Sequence, residues 1–154
     1  MKTAAKQLAI EQLDRKFRNI RSMRTLAPPE GGWVRSVRLA IGMSLRQLGE
    51  RLGITAPSVR ELEKREEAGA VTLRTLSDVA EALDMRLVYA FVPKEGTLED
   101  MVERQAEKVA RSIVLRTATS MELEDQAISS RRVKNAIEEK KQELLITMPR
   151  QLWD

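Results

Sequence analysis

The sequence predicts a mainly α protein, with a central helical domain that ends in one β-strand and helical segments on both sides of it. Three observations carry this reading. Between residues 33 and 84, apolar residues recur at helical spacing and are punctuated by helix-start and helix-stop residues. Residues 85–92, MRLVYAFV, set Met85, Leu87, Tyr89 and Phe91 in alternation with Arg86, Val88, Ala90 and Val92, and Pro93 closes the run. The flanking stretches, residues 1–27 and 97–154, are charge-laced with apolar residues at steps of three and four.

Composition narrows the possible chemistry. A chain of 154 residues holds one domain, or one plus extensions. The net charge of +4 permits a polyanionic partner without proving one. The excess is uneven: before Pro28 stand Lys2, Lys6, Arg15, Lys16, Arg18, Arg21 and Arg24 against Glu11 and Asp14. The sequence contains neither His nor Cys, which excludes zinc and haem ligand patterns as well as thiol and imidazole catalysis. With no glycine-rich phosphate loop and no paired acid and base, neither an enzyme nor a cofactor or metal site is expected. No apolar run is long enough to span a membrane and the N-terminus has no signal-peptide core, so a soluble cytoplasmic protein is expected.

Residues 3–26 read as one amphipathic helix, with Ile10, Leu13, Phe17 and Ile20 on its apolar face. Its basic residues are either phosphate contacts or a solvated face. Residues 28–32, PPEGG, stop that helix and form a linker. Trp33 opens the next helix as a core anchor ahead of Val37 and Ile41, with Arg35 and Arg38 as candidate contacts to a nucleic-acid backbone.

Ser44 then stands before an apolar-periodic run with Gln47 three places on, the pattern of a capping box. Leu45, Leu48 and Leu52 share a helical face, and Gly49 lies where a second helix must come close. Gly53 suits the left-handed end of the helix, and Ile54 is expected to plug the corner. Thr55 caps the following helix, whose first turn holds Pro57, where a missing N–H costs little. Val59 and Leu62 face inward, leaving Ala56, Ser58, Arg60, Glu61 and Lys64 outward. Two short helices joined by such a turn can set the second in the major groove of double-stranded DNA, with its first residues at the base edges. The competing reading is an ordinary helical hairpin.

Candidate DNA-binding residues are therefore Ser44, Gln47, Thr55, Ala56, Pro57, Ser58, Arg60 and Lys64. Ser44, Gln47, Thr55 and Ser58 suit phosphates, although the serines and threonine serve equally as helix caps. Ala56 and Pro57 can only touch a thymine methyl, whereas Arg60 can reach a guanine. Direct readout then rests on few residues, and DNA shape supplies the rest.

The strand at residues 85–92 has no second strand of comparable strength, so its edge must be paired or covered. Pairing with a second copy across a two-fold axis, which also suits a palindromic operator, competes with pairing to another protein. Beyond Gly96, Thr97 and Asp100 form a capping pattern, and Leu98, Met101, Val102, Val109 and Ile113 mark one face. A second helix is expected from about Thr119 and a third over residues 130–146, followed by a Pro149 break and an exposed Leu152-Trp153 pair. Trp153 either folds back or anchors another protein.

The stretch of residues 33–92 resembles the Xre/Cro type of helix-turn-helix domain, including the closing Glu63 and a further capped helix from Thr72. The resemblance implies a five-helix-type DNA-binding domain. Over nearly its full length the chain resembles the mobile mystery protein A family, through KQLAIEQLDRKF, the core from PPEGGWVRSVRLAIG to ELEKRE, TLRTLSDVAEALDMRLVYAFVP and ARSIVLRTATSMELEDQ. That family is associated with a Fic-domain protein. The resemblance therefore implies an antitoxin that binds a Fic-type toxin and represses its own operon; with the strand pairing above, the expected assembly is a homodimer or a toxin–antitoxin complex. Fic proteins are often restrained by a helix patterned Ser/Thr-x-x-x-Glu-Gly/Asn. Ser120 and Glu124 match the first two features, and Asp125 departs from the last. A plain helix start, Thr119 with Glu122, is the alternative there. A free-standing helix-turn-helix regulator is the alternative for the whole chain.

Overall fold

The computed structural model describes residues 2–122 and 129–154. It divides into two compact units, one formed by Thr25–Phe91 and the other by Met1–Arg24 with Val92–Asp154.

In the first unit, Gly31 and Gly32 both take positive φ, and the Gly32 N–H donates to the Pro29 carbonyl at 3.0 Å. At φ 84° Gly32 holds a conformation that side chains rarely adopt, and a Cβ there would lie 2.6 Å from Glu66 Oε2 and push that carboxylate aside. That close approach of Glu66 serves helix α1, Trp33–Ala40. The N–H groups of Trp33 and Val34 both donate to the Glu66 carboxylate at 2.9 Å, supplying the cap that the helix lacks locally. Helix α2, Leu45–Leu52, begins at Ser44 and ends at Gly53, which sits at φ 69°. Helix α3, Ala56–Glu67, is capped by Thr55, and α4, Leu73–Ala82, by Thr72. The core is Val34, Leu48, Val59, Val79 and Leu83, with Leu48 and Val59 wholly buried. A Cβ on Gly49 would meet the Ile54 carbonyl at 2.6 Å, so α2 and the turn touch through a glycine, as its position in the sequence suggested.

Several expectations need correction in this unit. No strand forms among the described residues, and residues 85–91 adopt no regular secondary structure. Alternation marks a face for burial, but a strand also needs a neighbour for its N–H and C=O groups, and the described chain offers none. Val88, Tyr89 and Phe91 are consequently exposed. Four α-helices, rather than five, lie within residues 33–82. Trp33 is 47% exposed, and Val34 takes the core position expected of it. Ile41 and Ile54 are also exposed. After α4 the chain turns through Asp84 at φ 59°, with Asp84 N–H to the Glu81 carbonyl at 2.9 Å and Met85 N–H to the Ala80 carbonyl at 2.8 Å, a Schellman closure without glycine.

The second unit contains α5, Lys2–Ile20, followed by all but the last residue of a 3-10 turn, Arg21–Thr25; α6, Leu98–Glu122; α7, Ser130–Thr147; and a final 3-10 turn, Arg150–Trp153. Val102, Ala106, Ala110, Ile137, Leu144 and Leu152 form its core, and Ile10 of α5 packs against it. Ala106 and Ala110 are wholly buried, which lets α7 lie close along α6. The start of α6 carries the expected box: Thr97 N–H donates to Asp100 Oδ2 at 2.7 Å, and Asp100 N–H to Thr97 Oγ1 at 3.0 Å. Asp14 of α5 adds a second cap, accepting the N–H groups of Leu98 at 2.8 Å and Glu99 at 3.2 Å. The Thr97 N–H first, and then the Thr97 hydroxyl, hold the Asp100 carboxyl below its ordinary range by stabilising its charged form.

Two further expectations fail here. No helix begins at Thr119: α6 runs through it, and the hydroxyls of Thr119 and Ser120 donate back to the carbonyls of Leu115 and Arg116. A capping hydroxyl needs a break before it, and none interrupts α6 at that point. Leu152 is buried, its carbonyl accepting from Gln105 Nε2 at 2.6 Å, while Trp153 stays exposed. Glu124 and Asp125 lie outside the described residues.

Candidate nucleic-acid interface

The site is built on the α2–turn–α3 corner. At the start of α2, Ser44 Oγ accepts the Gln47 N–H at 3.2 Å and Gln47 Oε1 accepts the Ser44 N–H at 2.8 Å, the reciprocal box that the sequence spacing indicated. Both side chains therefore have structural work at their acceptor atoms, and the Gln47 Nε2 and the Ser44 hydroxyl proton are the donors left over. At the start of α3, Thr55 Oγ1 accepts the Ser58 N–H at 3.3 Å and lies 2.8 Å from Ser58 Oγ. One hydroxyl proton is shared between those oxygens, which leaves one for another acceptor.

Beyond this cap, α3 presents Pro57, Ser58, Arg60, Glu61 and Lys64 to solvent, with Ala56 half-buried. Val59 and Glu63 turn inward. Arg60 and Lys64 stand one turn apart on the exposed side.

Arg38 does not join them. It is buried, and its guanidinium grips Glu63 of α3 in a fork, Nε to Oε1 at 2.6 Å and Nη2 to Oε2 at 3.1 Å. Its Nη1 donates to the Met43 carbonyl at 3.0 Å. The expectation of a backbone-contacting Arg38 is thereby corrected: its positive charge is spent inside the domain. The pair ties α1 to the recognition-helix candidate α3 and to the loop before α2. Nothing in the spacing of residues twenty-five apart announces it, although an Arg and a Glu on the apolar faces of amphipathic helices were a signal available in the sequence.

Arg35 remains exposed on α1. It lines, with Arg60, Lys64 and Glu67, an open cleft of about 320 Å³ that the Arg38–Glu63 pair floors. The cleft gathers three exposed cations against one exposed carboxylate, and Arg35 was outside the set singled out with the recognition helix. On α2 the exposed Arg46 is paired with Glu50, and Arg51 donates to the Ala82 carbonyl at 2.9 Å. Ser120 is exposed near the end of α6.

Residues 34–89 match the family described as helix-turn-helix. This stretch is a DNA-binding domain of the Xre type, and it marks the chain as a regulator of transcription. No curated protein and no solved structure matches the chain. Among the described residues no helix is long and apolar enough to cross a membrane, and no acidic cluster could hold a metal ion.

Proposed function

We propose that the chain is a repressor antitoxin: it binds double-stranded operator DNA as a homodimer, represses its own operon, and neutralises a Fic-type toxin by direct binding. The observation that carries the DNA part is the solvent face of α3. Among the described residues Arg60 and Lys64 enter no ion pair, whereas the neighbouring Arg38 is consumed by Glu63. Their charge is free for phosphates and base edges.

In this reading α3 lies in the major groove, Arg60 donates to guanine, and Ala56 and Pro57 rest against thymine methyls. Lys64, Gln47, Ser44 and the Thr55–Ser58 pair hold phosphates and set the register. Because α3 offers few base-reading groups, the sequence-dependent shape of the operator carries much of the selectivity. Two copies on a palindrome would place their α3 helices about one DNA turn apart, roughly 34 Å.

The toxin part rests on the resemblance of the sequence beyond the DNA-binding domain. It is also supported by the size of the second unit, which takes up more of the chain than the DNA module itself. Ser120 and Glu124 are the residues proposed to restrain the toxin.

Footprinting on the DNA upstream of the gene, together with co-purification of the tagged chain with the product of its neighbouring gene, tests both halves. Protection of a palindrome and a stable, non-toxic complex are expected. A footprint without a complex would leave a free-standing regulator and sink the antitoxin half. A complex without a footprint would sink operator repression.

A further inference from the structure

The second unit contains an open groove of about 320 Å³ where α5, α6 and α7 meet. Its apolar lining includes Ile10 of α5 and Leu145 and Ile146 of α7. Ile146 is 65% exposed, an apolar side chain with nothing over it. Glu11 of α5 and Glu99 and Glu103 of α6 stand around the same groove, all three exposed.

We propose that this groove binds a basic amphipathic helix of a protein partner, its apolar side chains entering against Ile10 and Ile146 and its Lys or Arg side chains meeting the three carboxylates. The charge arrangement argues for it. Among the described residues none of the three carboxylates enters an ion pair. Glu99 and Glu103 are four apart on one helix, a spacing at which like charges repel, and Glu11 adds a third negative charge beside them. The helix dipole eases Glu99 in the first turn of α6 but fades before Glu103.

The neighbouring carboxylates are occupied in a way these are not. Asp14 and Asp100 accept backbone N–H groups at the start of α6. Lys6, whose Nζ donates to the Met148 carbonyl at 2.7 Å, spends that contact on the backbone of a residue lining the groove. The chain as a whole is at +4, so this acidic rim runs against the net charge. It would repel nucleic acid and attract a cation-bearing segment, while the apolar lining selects one that also carries aliphatic side chains. The groove thus adds a protein-binding face distinct from the DNA-binding corner.

The test titrates the full chain into two fluorescein-labelled amphipathic helical peptides, one of Leu and Lys and one of Leu and Glu, and follows anisotropy. The Leu/Lys peptide is expected to bind and the Leu/Glu peptide to stay free. Replacing the rim by Glu11→Gln, Glu99→Gln and Glu103→Gln together should weaken binding roughly ten-fold, in proportion to three partly exposed ion pairs. Ile146→Ser, at a position already open to solvent, should weaken it by a similar factor through the lost apolar contact. Equal binding of the two peptides, no binding of the Leu/Lys peptide, or full affinity in both variants would each overturn the proposal. So would self-association of the chain that Ile146→Ser abolishes, since a second copy would then be the occupant. The comparison of the two peptides on the unmodified chain decides without any variant.

Discussion

Arg38 and Glu63 illustrate how one buried pair can decide which cations a domain has left for its ligand. A fork-shaped, largely buried pair gains little net stability over a well-packed apolar one, but breaking it leaves an uncompensated charge. Arg38→Ala should therefore cost about 3–5 kcal/mol, read as a lowered urea midpoint of the DNA-binding domain. The double change Arg38→Met with Glu63→Leu should recover most of that loss. If Arg38→Ala instead left stability unchanged and weakened only DNA binding, Arg38 would be a phosphate ligand and the pair incidental. Glycine matters at this scale too: at Gly49 a Cβ would press on the Ile54 carbonyl, a backbone atom that cannot swing away.

At the scale of elements, helix ends were the most legible part of the sequence. The caps at Ser44, Thr55, Thr72 and Thr97 all stand where side-chain chemistry placed them, because a cap is a local device involving residues two or three apart. The failures share the opposite cause. The strand at residues 85–92 needed a partner that the described chain does not supply. The helix start at Thr119 needed a break that α6 does not contain. Asp14 looked like one acidic residue in a basic helix, yet it caps α6 from eighty-four residues away. Asp14→Ala should cost about 0.5–2 kcal/mol, the usual worth of an N-cap, in unfolding of the second unit.

The same helix start fixes a pH dependence. Asp100 is held below its ordinary value in the folded chain, chiefly by the Thr97 N–H and hydroxyl. A depressed carboxyl contributes stability above its unfolded value, near 3.9, and loses it as pH falls through the lower folded value. The stability of the full chain to urea should thus fall below about pH 4, and Asp100→Asn should flatten that part of the profile. An unaltered profile would remove Asp100 from the acid response.

For the whole molecule, the sequence made the DNA-binding module plain and its context obscure. Periodicity, a capping box and a Gly53 turn are enough to outline a helix-turn-helix. They do not reveal that the core of residues 25–91 closes without the flanking helices, or that α5 packs with residues 92–154. Exposure on the candidate face was legible where it follows from helical phase, as at Arg60 and Lys64, and obscure where a tertiary partner intervenes, as at Arg38. A fragment of residues 25–91 should fold cooperatively by itself, since Val34, Leu48, Val59, Val79 and Leu83 all lie within it. A fragment that stays unfolded by circular dichroism would contradict that self-sufficiency.

The measurement that bears most directly on the DNA-binding account is the ratio of affinities for the upstream operator duplex and a scrambled duplex, by fluorescence anisotropy at several salt concentrations. The unmodified chain should prefer the operator. Arg60→Ala should lose about 1–3 kcal/mol of that preference. Lys64→Ala should weaken both duplexes alike and reduce the salt slope by about 1. If neither change moved affinity, preference or slope, the exposed face of α3 would not be the surface that meets DNA.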